Sequence, residues 1–99
     1  MQFLSLVTAK IASERQAEVA GRYRKAVEAG LPAGIRQTFL LVGDDDTLAI
    51  ATVWDSRQAL DAMLASGEEP SARRALREAG GDPDVAFFDI ADEGTSESR

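Results

Sequence analysis

The chain has 99 residues, with 11 Lys and Arg against 17 Asp and Glu, so its formal net charge is -6. Apolar residues make up 44% of the sequence, an ordinary balance for a globular protein, and the length allows one domain but not two. The absence of Cys and His excludes disulfides, zinc–thiolate sites, thiol nucleophiles and Ser-His or Cys-His dyads. We therefore expect one domain over residues 1–92, a flexible polar tail over residues 93–99, and no bound cofactor or metal.

The charge balance and the hydropathy pattern also restrict the partners. An acidic chain lacks the clustered basic face on which nucleic-acid binding depends. No apolar run approaches the roughly 20 residues of a membrane span, and the first residues carry no basic segment of the secretory kind. We expect a cytoplasmic protein that binds neither nucleic acid nor membrane.

Runs of apolar residues predict four strands. Their ranges are residues 3–9, 35–42, 48–54 and 85–91. The stretch from Gly43 to Asp46 reads as a hydrated turn, since Gly and Asp tolerate turn dihedral angles. The second and third strands therefore form a hairpin.

Helices are predicted between these strands. Ser13 and Gln16 have the spacing of a capping box, and an apolar stripe with Tyr23 at its centre follows them. Asp55 or Ser56 caps a second helix. A short helix over residues 72–79 precedes the last strand.

The element order β-α-β-β-α-β, with right-handed crossovers, predicts an α+β ferredoxin-like fold: a four-stranded antiparallel sheet with its helices on one face. All four strands are nevertheless apolar on both faces, as the alternation of Ile50 and Ala51 illustrates. The uncovered face would be a large exposed apolar patch. We therefore predict a homodimer that packs sheet against sheet.

The segment 52–60, Thr-Val-Trp-Asp-Ser-Arg-Gln-Ala-Leu, resembles the strand-to-helix junction of the antibiotic biosynthesis monooxygenase family. Gly34 before the second strand and the acidic hairpin turn also match that family. The resemblance implies a dimeric α/β barrel with a pocket between sheet and helices in each subunit. Some members oxidise polycyclic quinol-type substrates with molecular oxygen and no bound cofactor, whereas others degrade haem.

The residues that the haem-degrading branch uses are replaced in this chain. Aligned from Trp54, the branch's second-helix Trp falls on Met63, its His on about Arg73 and its first-strand Asn near Val7. Without His, axial ligation of haem would need Tyr23 or Met63. We do not expect haem degradation.

Two residues are candidates for catalysis, each with a structural alternative. Tyr23 either orients or deprotonates a phenolic substrate, or is a core tyrosine. Asp89 lies between Phe88 and Ile90 in the last strand. Its carboxylate is either a general base on a half-buried face or a solvated group near the strand end.

Four residues are candidates for binding substrate. Trp54, at the end of the third strand, either stacks on an aromatic substrate or fills the core. Met63, on the inner stripe of the second helix, is a further candidate for contact with the substrate. Arg36, expected on the same face of the second strand as Thr38 and Leu40, either stabilises an enolate or superoxide, or extends into solvent. Arg73, which shares a cationic face of the short helix with Arg74 and Arg77, either clamps an anionic ligand, forms a salt bridge across the dimer, or belongs to a solvated face.

Two functions fit these patterns. One is a cofactor-independent monooxygenase acting on a small aromatic or polyketide-like molecule, which needs neither His nor Cys because the substrate anion itself reduces oxygen. The other is a non-catalytic dimer of the same fold that binds a small molecule or serves a structural role. A pocket lined by Tyr23, Trp54 and Arg36 together would favour the enzyme.

Overall fold

The structure, a computed structural model, describes residues 2–67 and 71–94. Its strands are β1 (Phe3–Lys10), β2 (Ile35–Val42), β3 (Thr47–Trp54) and β4 (Asp84–Asp89). Its helices are α1 (Gln16–Glu28), α2 (Arg57–Ala65) and α3 (Ser71–Glu78), and a single 3-10 turn, Ser13–Arg15, precedes α1. Most of the predicted polar tail, residues 95–99, lies outside the described residues.

The strands form one antiparallel sheet in the order β2-β3-β1-β4. The two central strands, β1 and β3, are adjacent, and the hairpin strand β2 and the last strand β4 form the edges. This is the predicted α+β ferredoxin-like arrangement, which is confirmed. Asp45 and Asp46 adopt positive φ angles of 54° and 61° in the β2–β3 turn, as the predicted acidic turn requires.

The helices cover one face of the sheet. Val7 of β1 and Ile50 of β3 are directly paired, and both are buried in a core cluster with Val19 of α1 and Leu76 of α3. Val19 and Leu76 are fully buried. Burying a side chain of this size contributes about 1.5–3 kcal/mol relative to exposure, so this cluster holds α1 and α3 on the sheet.

A second cluster anchors α2. Leu60 packs against Phe3 and Trp54, and the Arg57 guanidinium lies 5.2 Å from the Phe3 ring centroid. The Ser56 hydroxyl accepts a hydrogen bond from the Ala59 backbone N–H at 3.3 Å. Of the two predicted candidates for the cap of this helix, Asp55 and Ser56, the structure therefore confirms Ser56. These contacts fix the strand-to-helix junction next to Trp54.

Gly34, immediately before β2, lies against the first turn of α2. It has φ +94°, and a Cβ atom at this position would lie 2.7 Å from the Ala59 Cβ. Its carbonyl accepts a hydrogen bond from the Asp55 N–H at 2.8 Å. Only glycine allows both this backbone conformation and this close approach to α2.

The predicted capping box is wrong. Residues 13–15 form a 3-10 turn, α1 begins at Gln16, and its N-cap residue makes no side-chain capping bond. The Gln16 side chain instead donates to the carbonyl of Ile11 at 3.1 Å. The amide thus ties the start of α1 to the segment that follows β1.

The other face of the sheet is uncovered by the helices. Phe39, Leu41 and Phe88 on this face remain 42%, 44% and 51% exposed, and Leu6 and Ala51 lie between them across the central strands. The predicted exposed apolar patch is therefore present in the single chain. Among the described residues, no helix is long and apolar enough to cross a membrane.

Candidate active site

A cavity of about 420 Å³ lies between the sheet and the helices, within the range of small-molecule sites. Its floor is the helix-facing side of β1, β2 and β3, its walls come from α1, α2 and α3, and the loop after α1 forms part of its rim. Most of its lining is apolar. The lining includes Ser5, Arg22, Tyr23, Ala26, Val27, Leu31, Ile35, Thr38, Thr52, Trp54, Met63, Arg74 and Ala75.

Three hydroxyl side chains cross the floor of this cavity. Ser5 on β1 is paired with Thr52 on β3, and Thr52 is paired with Thr38 on β2, so the three lie at one level across adjacent strands. Directly paired residues of an antiparallel sheet share a face. Ser5 and Thr52 are both buried, and Thr38 is half-buried. We call Ser5, Thr52 and Thr38 the hydroxyl row.

Trp54 lies at the Ser5 end of the hydroxyl row. Its indole N–H donates to the Ser5 hydroxyl at 3.1 Å, and its side chain is packed between Phe3 and Leu60. Because Ser5 accepts this bond, its own O–H remains able to donate. Trp54 is thus both a core residue and part of the cavity lining.

The apolar stripe of α1 divides into two parts. Val19, near the start of the helix, is fully buried against the sheet. Tyr23, Ala26 and Val27, one and two turns later, line the cavity instead. Val27 and Leu31 are 40% and 39% exposed, so the cavity opens to solvent between α1 and the loop that follows it.

The hydroxyl groups of Tyr23, Thr38 and Thr52 are available to a ligand. Within residues 2–67 and 71–94, none of these three hydroxyls has a hydrogen-bond partner. Polar groups in an otherwise apolar pocket are the groups that orient a bound molecule.

The structure brings together three of the six sequence-predicted site residues, Tyr23, Trp54 and Met63, in this cavity. Arg36, Arg73 and Asp89 are not among the lining residues. Arg73 and Asp89 are exposed, and the strand pairing places Asp89 opposite Phe3 at the end of β4.

A bulge changes the position of Arg36. The register between β2 and β3 shifts between Ile35 and Gln37, so Arg36 has no partner on β3. It lies 3.8 Å from the Asp55 carboxylate, with a half-exposed side chain. The same shift places Ile35 on the helix-facing side, so the expectation that Arg36 shares a face with Thr38 and Leu40 is wrong.

Two arginines outside the six predicted site residues line the cavity. Arg22 projects from α1 and Arg74 from α3. Arg22 forms an ion pair with Glu78, and its Nε lies 3.9 Å from the Glu18 carboxylate. The helical pattern places Arg22 on the side of α1 opposite its apolar stripe, so only the packing of α1 beside α3 reveals its position in the lining.

The described residues contain no group of three or more Asp, Glu, His or Cys side chains able to hold a metal ion.

Solved structures share this architecture over nearly the whole chain. A candidate antibiotic biosynthesis monooxygenase from Deinococcus radiodurans superimposes with a TM-score of 0.71 at 16% identity, covering 97% of this chain and 99% of that one. A mutant of SnoaB, a cofactor-independent oxygenase from Streptomyces nogalater, gives 0.68 at 15% identity, covering 93% and 95%. The chain has the fold of the antibiotic biosynthesis monooxygenases.

The same antibiotic biosynthesis monooxygenase fold also occurs in NE2512 of Nitrosomonas europaea, a protein of unknown function. That structure superimposes with a TM-score of 0.71 at 14% identity, covering 98% of this chain and 96% of that one. No protein-family model and no curated protein matches the sequence. At these identities the similarity establishes the fold and not the function.

Proposed function

We propose that the protein is a cofactor-independent monooxygenase of the antibiotic biosynthesis monooxygenase family, acting on a small aromatic or polyketide-like molecule. The observation that carries the proposal is the joint presence of Tyr23, Trp54 and the hydroxyl row in one largely apolar cavity. The fold shared with SnoaB, itself a cofactor-independent oxygenase, supports the same reaction class.

In the proposed reaction, an anthrone-type substrate loses a proton and becomes an enolate. The enolate reduces molecular oxygen, its methylene group becomes a carbonyl, one oxygen atom enters the product and the other leaves as water. All four electrons come from the substrate, so the chemistry requires no electron donor beyond it. The protein has to bind the ring, stabilise the enolate and limit access of water.

The cavity residues have roles that match these needs. The apolar lining and the Trp54 indole contact the ring system. The hydroxyl row donates hydrogen bonds to the enolate oxygen, where charge develops, and buried donors act more strongly there than in water. The Tyr23 hydroxyl, on the opposite wall, holds the second oxygen of the substrate.

The proposal includes a homodimer formed through the uncovered sheet face. The exposed Phe39, Leu41 and Phe88 on that face support it, because a contiguous apolar patch of this kind normally marks an interaction surface. Pairing of two copies leaves the cavity, on the opposite face of the sheet, accessible in each subunit.

Oxygen uptake tests the activity directly. With EDTA present and no flavin, haem or metal added, the protein is expected to accelerate oxygen consumption by a readily oxidised anthrone or quinol. Thr52→Val and Tyr23→Phe should each slow the reaction about tenfold or more, since each removes a hydroxyl that contacts the substrate. Thr8→Val is the matched control, because Thr8 lies on the opposite face of the sheet and outside the cavity.

One observation favours the non-catalytic alternative. Arg36, the cation expected to stabilise an enolate or superoxide, is outside the cavity. No acceleration across a panel of anthrones, quinols and naphthols would overturn the monooxygenase. Saturable binding of the same compounds would then identify the protein as a small-molecule binder.

A further inference from the structure

The hydrogen bond between the Trp54 indole and the Ser5 hydroxyl has a fixed direction. An indole N–H donates and cannot accept, so the Ser5 oxygen is the acceptor in this 3.1 Å contact. Both residues are largely removed from bulk water, since Ser5 is 7% exposed and Trp54 is 3% exposed. The hydroxyl proton of Ser5 therefore has to point away from the indole.

The Ser5 proton has no acceptor in the described part of the chain. Ser5 lies in the middle of β1, where it is paired with Thr52 on β3 and with Phe87 on β4, so the neighbouring main-chain carbonyls are engaged in the sheet. Within residues 2–67 and 71–94, no side chain accepts a hydrogen bond from it. A buried donor without an acceptor is costly, and Ser5 lines the cavity. Its hydroxyl is thus available to donate to a ligand there.

Thr52 places a second hydroxyl beside the first. It is the direct partner of Ser5 on β3, lines the same cavity, and is likewise 7% exposed. The Cβ atoms of directly paired residues in an antiparallel sheet lie about 4.5–5.5 Å apart, so one ligand oxygen can accept from both hydroxyls. Two buried donors directed at one atom are the arrangement that stabilises a negatively charged oxygen.

We infer that Trp54 is a positioning residue for these two donors: its indole N–H orients the Ser5 hydroxyl so that Ser5 and Thr52 donate to one anionic oxygen of an aromatic ligand. The ligand class is a phenol or enol that binds as its anion. This role acts through Ser5 and is separate from the contact of the indole with the ring. The inference rests on the proposed function, because it concerns the enolate oxygen of the same site.

Replacing a single group of Trp54 tests this role without measuring turnover. Trp54 is the only tryptophan of the chain, so incorporation of benzothienylalanine in place of tryptophan exchanges this one N–H for sulfur and keeps the bicyclic shape. The pKa of bound 2-naphthol is followed by the absorbance of the naphtholate as the pH is raised. It should be higher by at least about 0.5 in this protein than in the wild type, because the bound anion loses an oriented donor.

A ligand without oxygen controls for packing. The affinity for 2-methylnaphthalene should differ by less than about twofold between the benzothienylalanine protein and the wild type, since the shape of the cavity is unchanged. Ser5→Ala should raise the pKa of bound 2-naphthol by at least as much as the loss of the indole N–H does. Thr8→Val, on the opposite face of the sheet and outside the cavity, should leave it at the wild-type value. The charged and titratable groups of the described lining, which all these proteins keep, are Arg22, Tyr23 and Arg74.

An unchanged pKa of bound 2-naphthol in the benzothienylalanine protein or in Ser5→Ala would overturn the inference, as would an equal rise in Thr8→Val. A loss of affinity for 2-methylnaphthalene as large as that for naphtholate would also overturn it, because the indole would then act only through packing. Each of these results leaves the proposed oxygenase standing. If 2-naphthol does not bind, the inference is wrong as well, and oxygen uptake then decides the proposed function separately.

Discussion

Val7→Asp should leave the chain unfolded, whereas Leu6→Asp should leave it folded but monomeric. Val7 lies on the helix-facing side of the central strand β1 and is 4% exposed, in the cluster that holds α1 and α3. A carboxylate buried there without a partner costs several kcal/mol, a large part of the total stability of a small domain. Far-UV circular dichroism and urea unfolding measure the loss.

Leu6 is the adjacent residue and faces the other way, between Ala51 and Ala86 on the uncovered face. In a single chain its replacement by Asp stays accessible to water, so folding survives. In the proposed dimer the same carboxylates meet across the interface and repel each other. Light scattering should give 21.2 kDa for the wild type, twice the chain mass of 10.6 kDa, and the single-chain mass for Leu6→Asp. A monomeric wild type, or a Leu6→Asp protein that stays dimeric, would contradict the proposed interface.

Ala26→Phe should abolish ligand binding and oxygen uptake while leaving the fold intact. Ala26 is an exposed residue of α1 whose side chain lines the cavity, so a benzyl group there occupies the space of the ligand ring. We expect the affinity for an aromatic ligand to fall at least about tenfold, since the lost contact is the apolar burial that drives binding.

Ala17→Phe is the control for this variant. Ala17 is also exposed on α1, but it lies outside the lining of the cavity. Both substitutions replace Ala by the same weaker helix former, so their helix-propensity costs are similar. Equal losses of binding in the two variants would show that the effect is general and that the cavity is not the site.

The strands and helices of this fold could be predicted from the sequence because their apolar periodicity is local. The Ser56 cap and the acidic turn at Asp45 and Asp46 were likewise readable, since each depends on a few adjacent residues. The capping box at Ser13 was not, because a 3-10 turn and the bond from Gln16 to Ile11 replace it. The spacing of Ser13 and Gln16 is compatible both with a capping box and with this 3-10 turn, so the sequence alone does not distinguish them.

The site was only partly predictable because it depends on strand register and on the packing of elements that are far apart in the sequence. Tyr23 and Trp54 stood out as aromatic residues on apolar faces, and both line the cavity. The hydroxyl row becomes visible only with the register that pairs Ser5 with Thr52, and the position of Arg36 depends on a bulge that no alternation pattern contains. Arg74 reaches the cavity from a helix face that reads as solvated.

The central claim, that this cavity is where a small aromatic molecule binds, can be tested at a single atom. Trp54 is the only tryptophan of the chain, so protein labelled with 5-fluorotryptophan has one fluorine resonance, located in the cavity lining. Titration with 2-naphthol under anaerobic conditions should shift this resonance saturably, and Ala26→Phe should abolish the shift. A resonance that stays in place while 2-naphthol binds, or no binding at all, would contradict the account.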